Sequence, residues 1–488
     1  MSKRNVDLSP DAKVGILEHL AYGIGGGFAT NAVNLFISAF LLIFYTEVMH
    51  VNPGAAASII GISKLLDGLS DLVAGRIIDK THSRFGKTRI WLLRMIPATI
   101  IALLLIYLMP SSLTGAAQLV YIFITYNLAS TVCYTLTYVA YMTLNGLMTR
   151  NQTSRGLNGG INMVGNVIAG LVGNATIITL LHALSDNPSY SAYGDRSGWV
   201  KLLIIWMTVG AVAQLIVVFG TRERVKEGAQ ATDDSAKETK KETKKADIPF
   251  WVTMKALVKN KYWIYNIIIC LSINFLMGAT GSTTAYYMTY VVGDTAFFQI
   301  FSTVNTLSML AAMLAGFGVM AKFGKRNAVL GGLTIRAIGS LLPLFSSSKG
   351  ILIVTGVAGG IGYGIAGCAF ASMIQDVLTY GEWKNGFSMI GMGNAANSFC
   401  NKVGNSLGTI VLGWIMSLSG YVAGAATQTP AAVTGLRVMF IGLPVIFSTI
   451  SAIAAWLYDL DKIYPKIAAD LKEGKYAPGV VAYEEKNK

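Results

Sequence analysis

The chain reads as a succession of long apolar runs broken by short polar turns, with none of the strict alternation that marks half-buried strands. The runs fall near residues 20–46, 53–78, 90–110, 117–146, 157–184, 199–220, 261–292, 297–321, 328–346, 350–376, 388–419 and 434–458. Each is about 20 residues or longer, enough as a helix to cross roughly 30 Å of hydrocarbon at 1.5 Å per residue. The pattern predicts an all-α integral membrane protein of about twelve transmembrane helices.

Composition agrees with lipid as the solvent. Hydrophobic residues make up 53% of the 488 and charged residues 13%, too little polar surface for a soluble chain of this length. The net charge of +14 could suggest nucleic acid as a partner, but its placement argues against one. Lys3, Arg4 and Lys13 precede the first run, Arg84, Lys87 and Arg89 follow the second, and Lys322, Lys325 and Arg326 follow the eighth. The intervening loops carry little beyond Arg196, Lys201 and Lys349. This positive-inside bias puts both termini in the cytoplasm of a multi-pass protein of the cell membrane, a bacterial inner membrane by expectation. The start, MSKRNVDLSPDAK, has no apolar core before a cleavage site, so no removable signal is expected. Cys133, Cys270, Cys368 and Cys400 all lie in apolar runs without metal-ligand spacing and read as small packing residues.

After the sixth run the chain turns polar at Arg222-Glu223-Arg224 and continues into the near-repeat KETKKETKK, which ends at Lys245. Residues 1–222 and 257–460 then form two six-helix halves, 223–256 a cytoplasmic linker and 461–488 a cytoplasmic tail. A lipid or partner site in the linker is the sharper alternative to a solvated hinge. This is the layout of the major-facilitator fold, in which substrate binds between the halves near the midplane. Gly362, Gly364 and Gly367 imitate a nucleotide fingerprint, but with no strand before them they read as helix-packing positions.

Candidate chemistry sits inside the apolar runs. Lys64, Asp67 and Asp71 share one face of the second, within about 60° on a helix. An ionised carboxylate facing lipid is costly, so such residues face a cavity and mark an ion path. Lys64 could neutralise one Asp as a structural pair, but not both. Two close carboxylates can hold Na⁺ through hard oxygens or share a proton. Lys402 in the eleventh run is a matching cation, and Lys64 and Lys402 are read as the only midspan cations. Asn394, Asn401 and Asn405 line nearly one face beside it, with Asn397 adjacent. Further amides and phenols recur in the first half: Asn31 and Asn34, then Tyr134, Tyr138, Tyr141 and Asn145, then Asn158, Asn162 and Asn166. Tyrosines alone could be packing or interfacial residues, and Asn alone helix-helix glue. Converging from four helices, they suit a hydroxyl-rich ligand, because each amide offers donor and acceptor together.

Three motifs carry a family resemblance: KLLDGLSDLVAGRIID with SRFGKTRIW (Lys64 to Trp91), YTLTYVAYMTL in the fourth run, and QDVLTYGEWK followed by NKVGNSLG (Gln375 to Gly408). From about Tyr22 to Tyr464 the chain resembles the glycoside-pentoside-hexuronide:cation symporters, the melibiose-carrier group of the major facilitator superfamily. The resemblance implies that Asp67 and Asp71 form the cation site, with Thr135 nearby and Lys402 coupling the halves. It places Arg84, Gly86, Lys87, Asp376, Tyr380, Glu382 and Lys384 in cytoplasmic gating networks, and Lys64 is grouped with these gates. Where melibiose carriers use acids in spans one and four to clamp a galactosyl group, this chain has Thr30-Asn31 and Tyr138. The family's span-five arginine is replaced by the Ile161-Asn162 region.

The function expected is therefore secondary active symport of a sugar or glycoside with H⁺ or Na⁺, with no other cofactor. A neutral glycoside or small oligosaccharide is the expected substrate, because no cavity-facing Arg is evident to hold an anion. The alternative is the same fold serving a hexuronide, a lipid or a drug. An enzyme is not expected, since His19, His50, His82 and His182 are scattered and no nucleophile or metal constellation forms.

Overall fold

The computed structural model describes residues 9, 12–149, 151–225, 250–387, 389–425, 427–473, 475–478 and 480; the KETKKETKK segment lies outside them. The described residues form helices and no strand. Six long helices come first: α1 Ile16–Val48, α2 Pro53–Asp79, α3 Arg89–Tyr107, α4 Gly115–Met148, α5 Gln152–Leu184 and α6 Arg196–Gly220. A short α7, Phe250–Val258, leads into α8 Lys261–Val292, α9 Phe297–Phe323, α10 Lys325–Leu344, α11 Lys349–Asn385, α12 Ile390–Leu418 and α13 Pro430–Trp456. A short amphipathic α14, Leu460–Lys472, follows.

Local chemistry sets several of these boundaries. Asn52 opens α2 by accepting from the Ala55 amide, with Pro53 as first residue, where its missing N–H costs nothing. Asn151 opens α5 and Asp195 opens α6 in the same way. Slight burial works to raise the Asp195 carboxyl, but hydrogen bonds from the Gly198 and Asn187 amides outweigh it and hold the group below the usual carboxylate range.

Ten described helices are long and apolar enough to cross a membrane. The other two long ones are α2, 27 residues, and α12, 29 residues. Length is not what they lack. They carry the Lys64-Asp67-Asp71 stripe and the Lys402-centred amides, and a helix keeps such residues among helices only by turning them from lipid.

The chain forms two compact units. The first comprises Met1–Glu227, Ala279–Thr306 and Ser406–Met439, so the ends of α8, α12 and their neighbours join α1–α6. Its core includes Tyr22, Ile78, Leu92, Leu144, Met148 and Val217. The second comprises Gly228–Gly278, Leu307–Asn405 and Phe440–Lys488, cored by Trp263, Phe370, Val377, Tyr458 and Leu460. Within it Gly362 lies where a Cβ would collide with the Gly332 carbonyl and Gly364 against that of Met309, so these two glycines serve close helix approach.

Candidate functional site

In the first unit the α2 carboxylate meets hydroxyls of α4. Asp67 accepts from Thr131 Oγ1 at 2.6 Å and Ser130 Oγ at 3.2 Å. Ser70 Oγ donates to Thr135 Oγ1 at 3.4 Å, which ties Thr135 to the same turn of α2. Thr131 Oγ1 also lies 3.0 Å from Asn127 Oδ1, and Asn127 donates to Ser63 Oγ at 2.8 Å. The α4 residues converge because the helix widens into a π-helical stretch at Leu128–Tyr134, which rotates neighbouring side chains onto one side. Carboxylate, hydroxyl and amide oxygens are hard donors suited to an alkali cation or a proton, and no three His, Cys, Asp or Glu gather among the described residues.

Asp71 is half-buried one turn on, and Tyr134 lies within electrostatic reach of both carboxylates. Lys64 lies within reach of Asp67 and donates to Thr409 Oγ1 of α12 at 3.3 Å. Of the hydroxyl shell only Thr135 is among the expected residues. Ser63, Ser70, Asn127, Ser130 and Thr131 escape sequence reasoning, because a hydroxyl or amide in an apolar run usually satisfies its own helix.

The first-half amides and phenols divide into two groups. Tyr138 is exposed and stacks on half-buried Tyr134, ring centroids 5.8 Å apart. Tyr141 is buried, stacks on Tyr22 at 4.6 Å, donates to the Tyr22 carbonyl and accepts from Asn162. It binds α1, α4 and α5 together. Asn158 joins His19 at 2.6 Å and Asn145 at 2.8 Å in a second buried knot. Asn34 accepts from Ser38, while the carbonyl oxygen of the half-buried Asn31 has no hydrogen-bond partner among the described residues.

In the second unit the amides of α12 meet α8. Asn401 Oδ1 accepts from Asn274 Nδ2 and from the Cys270 thiol, both at 2.8 Å. Cys270 therefore has a polar role beyond packing, and Asn274 is a further residue that the sequence reading missed. Asn266, Cys270 and Asn274 recur every four residues on α8, a period that marks them as one face. Lys402 is half-buried on α12, and the exposed Asn394 accepts from Gln375 Nε2 at 3.2 Å.

Apart from Lys64, the residues grouped as gates sit in two separate regions. In the first unit Gly86 has φ +103°, with the Glu223 carboxylate where a Cβ would stand, and Lys87 N, Thr88 N, Thr88 Oγ1 and Arg89 N all donate to Glu223 at 2.6–3.0 Å. Arg84 is exposed and lies over Phe85. In the second unit Lys325 pairs with the buried Asp376. Tyr380 packs edge-on against Tyr262, and the Lys384 ammonium lies 5.7 Å from its ring. Glu382 is half-buried at the end of α11.

One expectation is corrected. Lys64 and Lys402 are not the only midspan cations, for Arg336 sits eleven residues into α10, half-buried, its guanidinium 5.4 Å from the Tyr363 ring centroid. No carboxylate pairs with it among the described residues. The Tyr363 hydroxyl reaches Met277 of α8. A single Arg in an apolar run is visible in the sequence, but its direction depends on how α10 packs against α11.

The family profile described as MFS/sugar transport protein matches residues 21–462. The isoprimeverose transporter of Lactiplantibacillus pentosus is 27% identical over 96% of this chain and 94% of its own length. The glucuronide carrier protein homolog of Escherichia coli strain K12 is 26% identical, covering 92% and 94%. Among solved structures, a D-xylose-proton symporter superposes with a TM-score of 0.62 over 90% of this chain and 97% of that one. At 12% identity that likeness concerns the fold alone.

Proposed function

The chain belongs to the MFS/sugar transport protein family, and on that premise we propose that it carries a sugar or glycoside across a membrane in symport with Na⁺ or H⁺, by alternating access. It is a transporter and not an enzyme. The observation that carries the coupling is the Asp67 carboxylate of a membrane helix facing the Ser130 and Thr131 hydroxyls. In this reading Asp67 and Asp71, with Thr135, hold the cation, and Lys402 couples it to transport. Asn31, Asn34, Tyr134, Tyr138, Tyr141, Asn162, Asn394 and Asn401 form or support the sugar site. Both termini face the cytoplasm, and residues 1–222 and 257–460 act as the two moving halves.

The preferred substrate is a neutral glycoside, for which amides and phenols supply uncharged donors and acceptors; the similarity to the isoprimeverose transporter supports this. Arg336 favours a second reading, an anionic glycoside, since a planar guanidinium with no carboxylate partner among the described residues suits a ligand carboxylate, and the glucuronide carrier homolog is a relative. Counterflow in proteoliposomes decides both points. Neutral xylosides and glucosides, glucuronides and galactosides are each tested at varied Na⁺ and pH. Cation-dependent exchange of neutral glycosides is expected. Exchange by glucuronides alone, lost in Arg336→Gln, moves the assignment to the anionic reading, and no response to any sugar at any cation overturns symport.

A further inference from the structure

The first unit also contains a fully buried carboxylate that the proposed cation site does not use. Glu47, in the last turn of α1, is 0% exposed. It accepts hydrogen bonds from the hydroxyls of Tyr290, near the end of α8, and Tyr421, in the connection between α12 and α13, and from the Gly424 amide at 3.4 Å. No Lys or Arg pairs with it among the described residues. Its neighbour Thr46 bonds the Tyr286 hydroxyl at 2.6 Å. The titratable groups facing Glu47 are Tyr286, Tyr290, Tyr421, Tyr193 and His50. His50 holds a left-handed backbone, φ +52°, where Cα strain is ordinarily avoided by non-glycine residues. Beyond this knot the same end of the unit is tied by Asn52 to Ser417 at 3.3 Å, Ser58 to Trp414 at 2.9 Å and Tyr193 to Thr289 at 2.8 Å.

We propose that Glu47 is a latch: the α1 carboxylate gathers Tyr290, Tyr421 and Gly424 and so holds the ends of α8, α12 and α13 against α1 and α2 in one state of the transport cycle. The choice of residue suits a latch rather than a permanent joint. An apolar plug would favour contact at all times, whereas a carboxylate bonded only by neutral donors loses its partners on separation and regains water. The two states are then close in free energy, which a carrier that must cycle requires. All the tied groups come from segments far apart in sequence, 243 residues between Glu47 and Tyr290 and 374 between Glu47 and Tyr421, so the cluster is a tertiary device and not a helix cap. The inference rests on the transporter reading, and if the termini are cytoplasmic the latch closes the outer side.

The test uses the full-length protein in vesicles with Asn52→Cys and Ser417→Cys, a pair whose native side chains touch. Oxidative cross-linking is followed by mass spectrometry of the linked peptides. The latched state cross-links rapidly. Glu47→Ala is expected to slow cross-linking about tenfold by shifting the population away from that state. The double variant Tyr290→Phe/Tyr421→Phe, which keeps the packing and removes the donors, should slow it in the same direction and decides the matter if Glu47→Ala does not fold. Cross-linking within twofold of the parent in both backgrounds overturns the latch. A membrane-impermeant thiol reagent should block the pair in right-side-out vesicles. If it blocks only in inverted ones while the variants still slow cross-linking, the latch stands and the cytoplasmic placement of the termini falls.

Discussion

The polar seams of the two units are built from different chemistry. Around Asp67 a full charge is met by hydroxyls, each able to turn its proton away and present oxygen to a cation. Around Asn401 an uncharged amide is met by another amide and a thiol, groups that pair with each other and with hydroxylated ligands equally well. The first arrangement gathers hard oxygen donors around a carboxylate, a chemistry that suits a cation. The difference teaches that two polar seams in membrane helices can be built from different chemistry, a charged group met by hydroxyls in one and neutral groups met by each other in the other.

The largest expected effect breaks the charged side. Asp71→Asn should abolish cation-driven accumulation and leave an internal-to-external sugar ratio of about 1, since an amide neither titrates nor offers a full charge. Asp67→Cys should lower coupling while sparing sugar-for-sugar exchange; a wild-type gradient in either variant would remove that residue from the cation site. A smaller effect sharpens the neutral side. Asn401→Ala should raise the half-saturating sugar concentration about tenfold, the scale of one buried hydrogen bond, with unchanged cation dependence. Uptake titrated against both ligands reads this directly, and a shift in cation affinity instead would merge the two regions.

Smaller again is the cap on α3. Glu223→Gln keeps the shape but gives up the charge that faces four donors at a helix start, and should cost about 1 kcal/mol of stability, read as a lower melting midpoint of the purified protein. Gly86→Ala at φ +103° should be at least as damaging. The second unit repeats the device at Gly324, φ +82°, where the Arg326 amide donates to Asp461 at 2.9 Å. Asp461→Asn, with fewer donors at stake, should lower the midpoint less. The smallest effect is expected from deleting 228–244: a polar, low-complexity tether has little to bury, so transport should stay within about twofold if the remaining chain reaches. Loss of transport in a well-inserted deletion would assign the segment a docking role.

Much of this architecture was readable along the chain. Helix positions follow from runs of apolar residues, because lipid demands that every backbone group be bonded within its own segment; the structure shifts the ends by a few residues and extends the tenth run to Asn385. Lys64, Asp67 and Asp71 stood out because charge in such a run is rare. Their hydroxyl partners did not, since Ser130 and Thr131 become ligands of Asp67 only through the widened helix at 128–134. Spacing put Tyr141 on a polar face but did not show its stacking on Tyr22 or its bond from Asn162, which the packing of α1, α4 and α5 decides.

The sequence by itself determined the solvent, the helical architecture of about twelve long segments, the family and the residues that cannot face lipid. These depend on composition and local period, which the chain carries wherever it folds. Only the tertiary structure decided which of several polar residues meet: Asp67 with Thr131, Asn401 with Asn274, Glu47 with Tyr290 and Tyr421. A buried polar group is satisfied by whichever donor packing brings to it, and packing joins residues hundreds of positions apart by side-chain shape and helix rotation, which no local pattern records.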